Sequence, residues 1–235
     1  MSRGLFIVFE GNNGAGKTTI INELKKNLTT KSSILDNINN KPIYEWNVYK
    51  FPDRSTILGK KIDDFLKKKI TFNSKELELK FFADNRKEFK EEMNQILNKG
   101  YNIICDRYIY SSMAYTLTNQ TMDVLNDKNI RLLTIDNILF YDRSFIKPDF
   151  VFVIKGEFLH LRNEKEELYH KNKMFNNILL NNYILSIQKT DISFAIVDNV
   201  FGGLKETIEN ITFKIDELLV QKNKITHPVN KFLAI

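Results

Sequence analysis

A glycine-rich stretch near the start of the chain has the spacing of a phosphate-binding loop (P-loop). From Gly11 to Thr18 it reads Gly-Asn-Asn-Gly-Ala-Gly-Lys-Thr, which is the order that a P-loop requires. Glycines let the backbone direct several N–H groups at one phosphate, and the start of the following helix adds partial positive charge. We expect Lys17 to reach the β- and γ-phosphates of a nucleotide and the Thr18 hydroxyl to ligate Mg²⁺. The residues expected to bind the nucleotide phosphates are Gly11, Asn12, Asn13, Gly14, Ala15, Gly16, Lys17, Thr18 and Thr19.

A second candidate group, Asp106 and Arg107, comes directly after the apolar run that starts at Asn102. In α/β sheets, ligands bind outside the carboxyl ends of the strands. Asp106 could therefore hold Mg²⁺ through water, facing the P-loop, and Arg107 could grip a second phosphate. The alternative is a structural ion pair between these two neighbours.

Short apolar runs alternate with amphipathic stretches along the chain. Unbroken apolar runs are typical of strands that are buried on both faces, and their alternation with helical patterns indicates a parallel sheet covered by helices. We therefore predict an α/β fold with a five-stranded parallel sheet flanked by helices. The predicted strands are Leu5–Phe9, Tyr44–Phe51, Asn102–Cys105, Phe150–Ile154 and Phe194–Val197.

One long helix is predicted to end at Gly100. Asn73 or Ser74 is expected to cap its start, with Glu76 completing a capping box. Apolar residues then recur at about one-turn spacing at Leu77, Phe81, Phe89, Met93 and Leu97. The segment 116–146 shows no clear pattern and is compatible with a short helix or a long loop.

Composition narrows the class of protein. A chain of 235 residues suits a single domain, 1–235. The net charge of +6 comes from lysines scattered among glutamates, so we expect a small polyanionic ligand and no nucleic-acid partner. The single cysteine, Cys105, favours a cytoplasmic location. The apolar run at Leu5–Phe9 is too short for a signal peptide or a membrane span.

Several motifs in a fixed order carry a family resemblance. They are the opening from Ser2 to Gly11, Phe51-Pro52-Asp53-Arg54-Ser55-Thr56, Phe82-Ala83-Asp84-Asn85-Arg86, Asp106-Arg107-Tyr108 with Ser111, Ala114 and Tyr115, and Lys147-Pro148-Asp149. Together they resemble thymidylate kinases of the eukaryotic and large-DNA-virus type. The similarity covers nearly the whole chain, with extra residues near 31–43 and 116–146.

The resemblance implies a P-loop NTPase fold of the nucleoside monophosphate kinase type, a homodimer, and a reaction. That reaction is the Mg²⁺-dependent phosphorylation of dTMP by ATP, and we also expect measurable use of dUMP. The implied catalytic residues are Lys17, Arg54, Asp106, Arg107 and Arg162, with Thr18 and Asp106 at the metal and Arg162 also at ATP. The implied substrate-binding residues are Asn13, Phe51, Arg54, Phe82, Arg86, Arg107, Ser111, Tyr115 and Tyr169.

Roles within these sets follow from side-chain chemistry and from the family. Arg54 resembles the arginine that binds the acceptor phosphate, because its planar fork suits phosphate oxygens. Phe82 and Arg86 are four residues apart and share one helix face, so Phe82 could stack on a pyrimidine while Arg86 donates to its carbonyl edge. A core phenylalanine beside a solvated arginine is the alternative. The segment of about 156–172, which contains Arg162, resembles a mobile lid over ATP.

Departures from the family pattern leave other functions open. Many eukaryotic relatives have Asp then Arg where this chain has Asn13 and Gly14, and Arg162, aided by Lys165, is our candidate for the missing charge. One alternative is a deoxynucleoside kinase acting on thymidine, which would need a carboxylate base such as Glu10. Another is a P-loop protein that binds nucleotides with little or no transfer.

Overall fold

A computed structural model describes residues 3–39, 46–156, 173–200 and 202–226. Within them lies a five-stranded parallel sheet in the order β2-β3-β1-β4-β5. All of the predicted strands are confirmed, to within two residues at each end, as β1 (Phe6–Glu10), β2 (Trp46–Lys50), β3 (Asn102–Asp106), β4 (Phe150–Lys155) and β5 (Phe194–Asp198).

Helices cover both faces of this sheet in the described ranges. Their bounds are α1 (Lys17–Asn39), α2 (Ile57–Leu66), α3 (Lys75–Lys87), α4 (Lys90–Asn98), α5 (Ile109–Leu125), α6 (Ile135–Asp142), α7 (Lys173–Lys189) and α8 (Leu204–Thr226). None of them combines the length and apolar character that crossing a bilayer requires.

Two apolar cores lie on opposite faces of the sheet because successive strand residues point to opposite sides. Ile7 of β1 packs in the core that includes residues of α1 and α8. Phe6 and Val8 belong to the other core, which includes residues of α5 and α7. The central strands β1 and β3 are buried along their whole length. Polar groups that follow these strands are therefore held on a rigid edge.

The predicted long helix is in fact two helices. Ser74 caps α3, with its Oγ accepting a hydrogen bond from the Leu77 N–H at 3.1 Å. The predicted capping box is wrong, because with Ser74 as the cap Glu76 is one position too early for it. The helix is interrupted between Lys87 and Lys90. At this interruption the centre of the Phe89 ring lies 5.8 Å from that of Phe51.

The segment 116–146 contains the second half of α5, a connecting loop and the short helix α6. Thr134 and Asn137 form a capping box at the start of α6. The Gln120 side chain donates to the Leu133 carbonyl at 3.0 Å and accepts from its N–H at 2.7 Å. The segment is therefore tied to α5 by paired hydrogen bonds.

Two of the motifs meet at the amino ends of the strands, away from the P-loop. Arg3 donates to both carboxylate oxygens of Asp149 at 3.0 Å, and Asp149 accepts the Phe6 N–H at 2.7 Å. Lys222 of α8 lies 3.2 Å from the same carboxylate. The opening motif and the Lys147-Pro148-Asp149 motif therefore join the starts of β1 and β4 to α8.

Candidate active site

The P-loop connects the end of β1 to the start of α1. Gly11 has a φ of 135°, and a Cβ at this position would lie 2.2 Å from the Ile154 carbonyl oxygen, so no other residue fits without a shift. The Lys17 ammonium turns back onto the loop and donates to the carbonyls of Gly11 at 3.0 Å and Asn12 at 2.7 Å. Burial, and then the nearby Arg107, lower the pKa of Lys17 well below its usual range. A polyanion in this loop would stabilise the charged form of Lys17.

The candidate metal ligands lie together, Asp106 at the end of β3 and Thr18 at the start of α1. Thr18 Oγ1 donates to Asp106 Oδ2 at 2.9 Å, and Lys50 Nζ lies 3.5 Å from the same carboxylate oxygen. In the described ranges, no group of three His, Cys, Asp or Glu side chains comes together. A hydroxyl, a carboxylate and nucleotide phosphates form an all-oxygen set, which is what Mg²⁺ prefers. The residues present therefore fit this ion.

Arg107 is the most extensively hydrogen-bonded arginine of the site. Its backbone has a φ of 69°, in the left-handed region that few non-glycine residues adopt. Its Nη1 donates to the Gly11 carbonyl at 3.0 Å and to Ser111 Oγ at 3.1 Å, and its Nη2 donates to Asn13 Oδ1. These hydrogen bonds hold the Arg107 side chain against the P-loop.

Glu10 joins the end of β1 to the start of α5. Its Oε1 accepts the N–H groups of Tyr108 at 2.8 Å and Ser111 at 3.1 Å, and its Oε2 accepts the Ser111 hydroxyl at 2.6 Å. Because the capping residue Tyr108 makes no side-chain cap bond, Glu10 satisfies helix N–H groups that would lack partners. Burial raises the pKa of Glu10, while Ser111 and Arg107 act against that rise.

Tyr183 is a site residue that sequence reasoning missed. Its hydroxyl donates to the Gly11 carbonyl at 3.2 Å and lies 3.0 Å from Ser111 Oγ, and Arg107 Nη1 donates to it at 3.2 Å. The ring is buried and comes from α7, which is the first described element after residue 172. No local motif marks this tyrosine, since only the packing of α7 on α5 brings it to the P-loop.

The loop that contains Arg54 is braced by a residue of another motif. Asn85 accepts the Asp53 N–H at 2.8 Å and donates to the Asp53 carbonyl at 3.1 Å and to Thr56 Oγ1 at 3.0 Å. Arg54 itself is more than half exposed and pairs with Asp63 of α2 at 3.0 Å. Its role at a phosphate stays a prediction.

The residues expected to contact the base are only partly brought together. Phe82 lies edge-on to Phe65 of α2 at 6.5 Å. Phe51 is buried and packs near Phe89 and Tyr108, so its role at the substrate stays a prediction. Arg86 is buried as well, which makes the alternative of a solvated Arg86 wrong.

Ser111 and Tyr115 of α5 lie beside Arg107. The Tyr115 ring centre is 5.7 Å from the Arg107 guanidinium carbon and 6.4 Å from the Tyr183 ring. The Tyr115 hydroxyl is buried and makes no hydrogen bond to the described part of the chain. The Ser111 hydroxyl is already used by Glu10.

Comparison with known proteins identifies the family. A family model described as thymidylate kinase matches residues 9–199. The chain belongs to the thymidylate kinase family. The thymidylate kinase of Candida albicans is similar at 26% identity and a TM-score of 0.66, covering 98% of this chain and 97% of that one. The thymidylate kinase of Ehrlichia chaffeensis shares the fold at 19% identity and a TM-score of 0.60, covering 91% of this chain and 99% of that one.

As a thymidylate kinase, the protein is a phosphotransferase with the P-loop NTPase fold that converts dTMP and ATP to dTDP and ADP. The family uses Mg²⁺ in this reaction. The residues predicted to lie in the lid, Arg162, Lys165 and Tyr169, are outside the described residues, as is the predicted lid segment after Gly156.

Proposed function

We propose that the acceptor phosphate of dTMP and the phosphates of ATP meet end to end beside the P-loop. This proposal depends on one observation at the carboxyl ends of β1 and β3. Lys17 and Arg107 both donate to the Gly11 carbonyl, and Thr18 donates to Asp106, the neighbour of Arg107 in the chain. Lys17 and the loop N–H groups bind the donor phosphates, and Arg107 binds between donor and acceptor. Positioning and charge neutralisation are most of what phosphoryl transfer requires from a protein.

Thr18 and Asp106 would hold Mg²⁺ in this arrangement. When bound, the ion neutralises charge that develops on the phosphate oxygens. Arg54 would leave Asp63 to bind the acceptor phosphate, since its side chain is more than half exposed, a solvent-screened ion pair contributes only about 0–1 kcal/mol, and a phosphate is a stronger partner. Arg162 of the proposed lid supplies the charge that Gly14 lacks.

A monophosphate acceptor is favoured over thymidine by the position of Glu10. Both of its carboxylate oxygens already accept hydrogen bonds from the start of α5. A general base must reach the proton that it removes, and Glu10 is not free to do so. A phosphate acceptor is already nucleophilic and needs no base.

The base of dTMP would lie between Phe82 and Tyr115, with the Arg86 side chain donating to its carbonyl edge. The buried Tyr115 hydroxyl is without a partner in the described residues, and a buried polar group of this kind is costly unless a ligand or water satisfies it. The related Candida albicans enzyme has a broad substrate specificity. We therefore propose that dUMP is also accepted.

The experiment that tests the proposal is a coupled assay of the purified protein with ATP and Mg²⁺. It compares dTMP, dUMP, dGMP and thymidine as acceptors. We expect rapid formation of dTDP from dTMP. We expect no formation of dTMP from thymidine. Turnover of thymidine would make Glu10 a base after all, and tight ATP binding without any product would establish a nucleotide-binding protein.

Three broader features complete the proposal. The chain forms one domain with a lid at about 156–172, acts as a homodimer by analogy with its family, and works in the cytoplasm without a nucleic-acid partner. Cys105 is buried, which is compatible with a reducing compartment. Light scattering during size-exclusion chromatography tests the dimer, since a monomer would elute with a mass near 27.6 kDa.

A further inference from the structure

Arg86 of α3 and Asp142 of α6 form a buried two-point ion pair. Arg86 Nε donates to Asp142 Oδ1 at 3.0 Å, and Nη2 donates to Oδ2 at 2.7 Å. The exposed fractions of the two side chains are 3% and 2%. Asp142 is the last residue of α6, within the segment whose role the sequence does not reveal.

A pair of this kind fixes the plane of the guanidinium group. Two parallel N–H···O bonds between an arginine fork and a carboxylate set orientation as well as distance. The Phe145 ring lies 5.9 Å from the Arg86 guanidinium carbon and limits its movement further. Burial raises the pKa of Asp142, and the charge of Arg86 acts against that rise.

Helix α6 holds the Asp142 carboxylate in a fixed position. Its first turn is closed by the capping box of Thr134 and Asn137, and Ile138 is fully buried. Gln120 ties the preceding Leu133 to α5 through two hydrogen bonds. The carboxylate therefore belongs to a braced element and not to a free loop.

The pair also determines which hydrogen-bond donor of Arg86 is left for a ligand. Within the described residues, its side-chain hydrogen bonds use Nε and Nη2, and the remaining nitrogen, Nη1, can only donate. A base that presents a carbonyl oxygen accepts such a bond. A base that presents an amino group at the same place leaves two donors facing each other.

We propose that Asp142 is a positioning residue that aims the Arg86 guanidinium, so that the acceptor site selects bases with a carbonyl oxygen over bases with an amino group. This inference rests on the proposed role of Arg86 at the base of the acceptor nucleotide. Asp142 acts through Arg86 and does not itself touch the substrate.

The experiment measures kcat and KM separately for dTMP and dCMP, whose pyrimidine rings carry a carbonyl and an amino group at the same position. For Asp142→Asn we expect KM for dTMP to rise about tenfold or more, because a misplaced hydrogen bond is lost. ATP affinity should stay unchanged, and the preference for dTMP over dCMP should fall by a similar factor. Asp136→Asn is the matched control, since Asp136 lies on the same helix with a largely exposed side chain. This control should change neither the KM for dTMP nor the preference for dTMP over dCMP.

A purely structural role would lower the melting temperature of Asp142→Asn without changing the preference for dTMP. If that variant does not fold, Asp142→Glu keeps the charge but displaces it by one methylene, and it should reduce the preference as well. A folded Asp142→Asn, or failing that a folded Asp142→Glu, with the parent's KM and preference overturns the proposal.

Arg86→Met separates this inference from the proposed function. If Arg86→Met loses the preference for dTMP while the Asp142 variants keep it, Arg86 reads the base without help from Asp142, and only the positioning role fails. If Arg86→Met also keeps the preference, the proposed role of Arg86 at the base fails, and the inference fails with it.

Discussion

Lys50 and Asp106 face each other across the β2–β3 pair, with Lys50 Nζ 3.5 Å from Asp106 Oδ2. The same ammonium lies 3.4 Å from Thr18 Oγ1. It is thus beside both side chains that are proposed to hold Mg²⁺. Because like charges repel, the ion and the lysine compete for this position.

Replacing Lys50 with methionine should therefore make Mg²⁺ binding easier. The Lys50 side chain is largely exposed, and a solvent-screened charge of this kind contributes about 0.2–1 kcal/mol. We therefore expect the Mg²⁺ concentration for half-maximal ATP binding to fall about twofold to fivefold. Titration of a fluorescent ATP analogue with Mg²⁺ measures this. Lys60→Met, at an exposed position of α2, is the control, and an increased Mg²⁺ requirement in Lys50→Met would contradict the competition.

Arg54→Ala should lower kcat/KM for dTMP by about 100-fold, since a charged hydrogen bond to a phosphate contributes about 1.5–3 kcal/mol. The melting temperature should change little, because Asp63 keeps its ion pair with Lys67. Steady-state kinetics and a thermal melt measure the two effects. Arg131→Ala is the control, with a side chain 83% exposed. A normal rate in Arg54→Ala would remove Arg54 from the phosphate site.

Tyr183→Phe removes a hydroxyl that contacts Gly11, Arg107 and Ser111. We expect a loss of stability of about 1 kcal/mol together with a clear fall in kcat, because the P-loop and Arg107 lose a shared partner. Tyr110→Phe is the matched control, since Tyr110 is also buried and its hydroxyl contacts Thr190 at 3.0 Å. Equal kcat values in the two variants would make Tyr183 a purely structural residue.

Glu10→Gln should change how stability depends on pH. Burial raises the pKa of Glu10 in the folded protein above its ordinary value of 4.5. Between pH 4.5 and this raised pKa, the folded protein binds a proton that the unfolded chain has lost. The parent protein therefore loses stability as the pH rises through this window, and Glu10→Gln does not. We expect the free energy of unfolding of the variant, minus that of the parent, to increase with pH above 4.5 in urea titrations. The shift of Asp142, which is caused by burial and Arg86 and not by Glu10, cancels in this difference, and a decrease with pH would contradict the assignment.

Measurable phosphorylation of dUMP is the last prediction. The absent methyl group contributes roughly 1–3 kcal/mol to discrimination, so kcat/KM for dUMP should be about 10-fold to 200-fold below that for dTMP. The same coupled assay measures both substrates. Complete rejection of dUMP would show that the pocket does more than pack against a methyl group.

Much of the fold followed from short-range patterns. The strands were predictable because a strand buried on both faces must be apolar throughout, and the cap at Ser74 because a serine oxygen can satisfy a helix N–H. The break near Phe89 was not predictable, since the apolar spacing continues from α3 into α4 while the ring turns to Phe51. The capping box at Glu76 failed because two adjacent residues, Asn73 and Ser74, were equally suitable caps.

The sequence by itself was enough to predict which residues belong to the phosphate site, because the residues from Gly11 to Thr18, and the pair Asp106 and Arg107, are each neighbours in the chain. Only the tertiary structure decided which distant residues hold the site residues in place by hydrogen bonds. Glu10 accepts the N–H of Tyr108, which precedes α5 and lies 98 residues later, and Arg86 is oriented by a carboxylate 56 residues away. Spacing in a sequence specifies local backbone conformation, whereas contacts of this kind depend on how separate helices and strands pack.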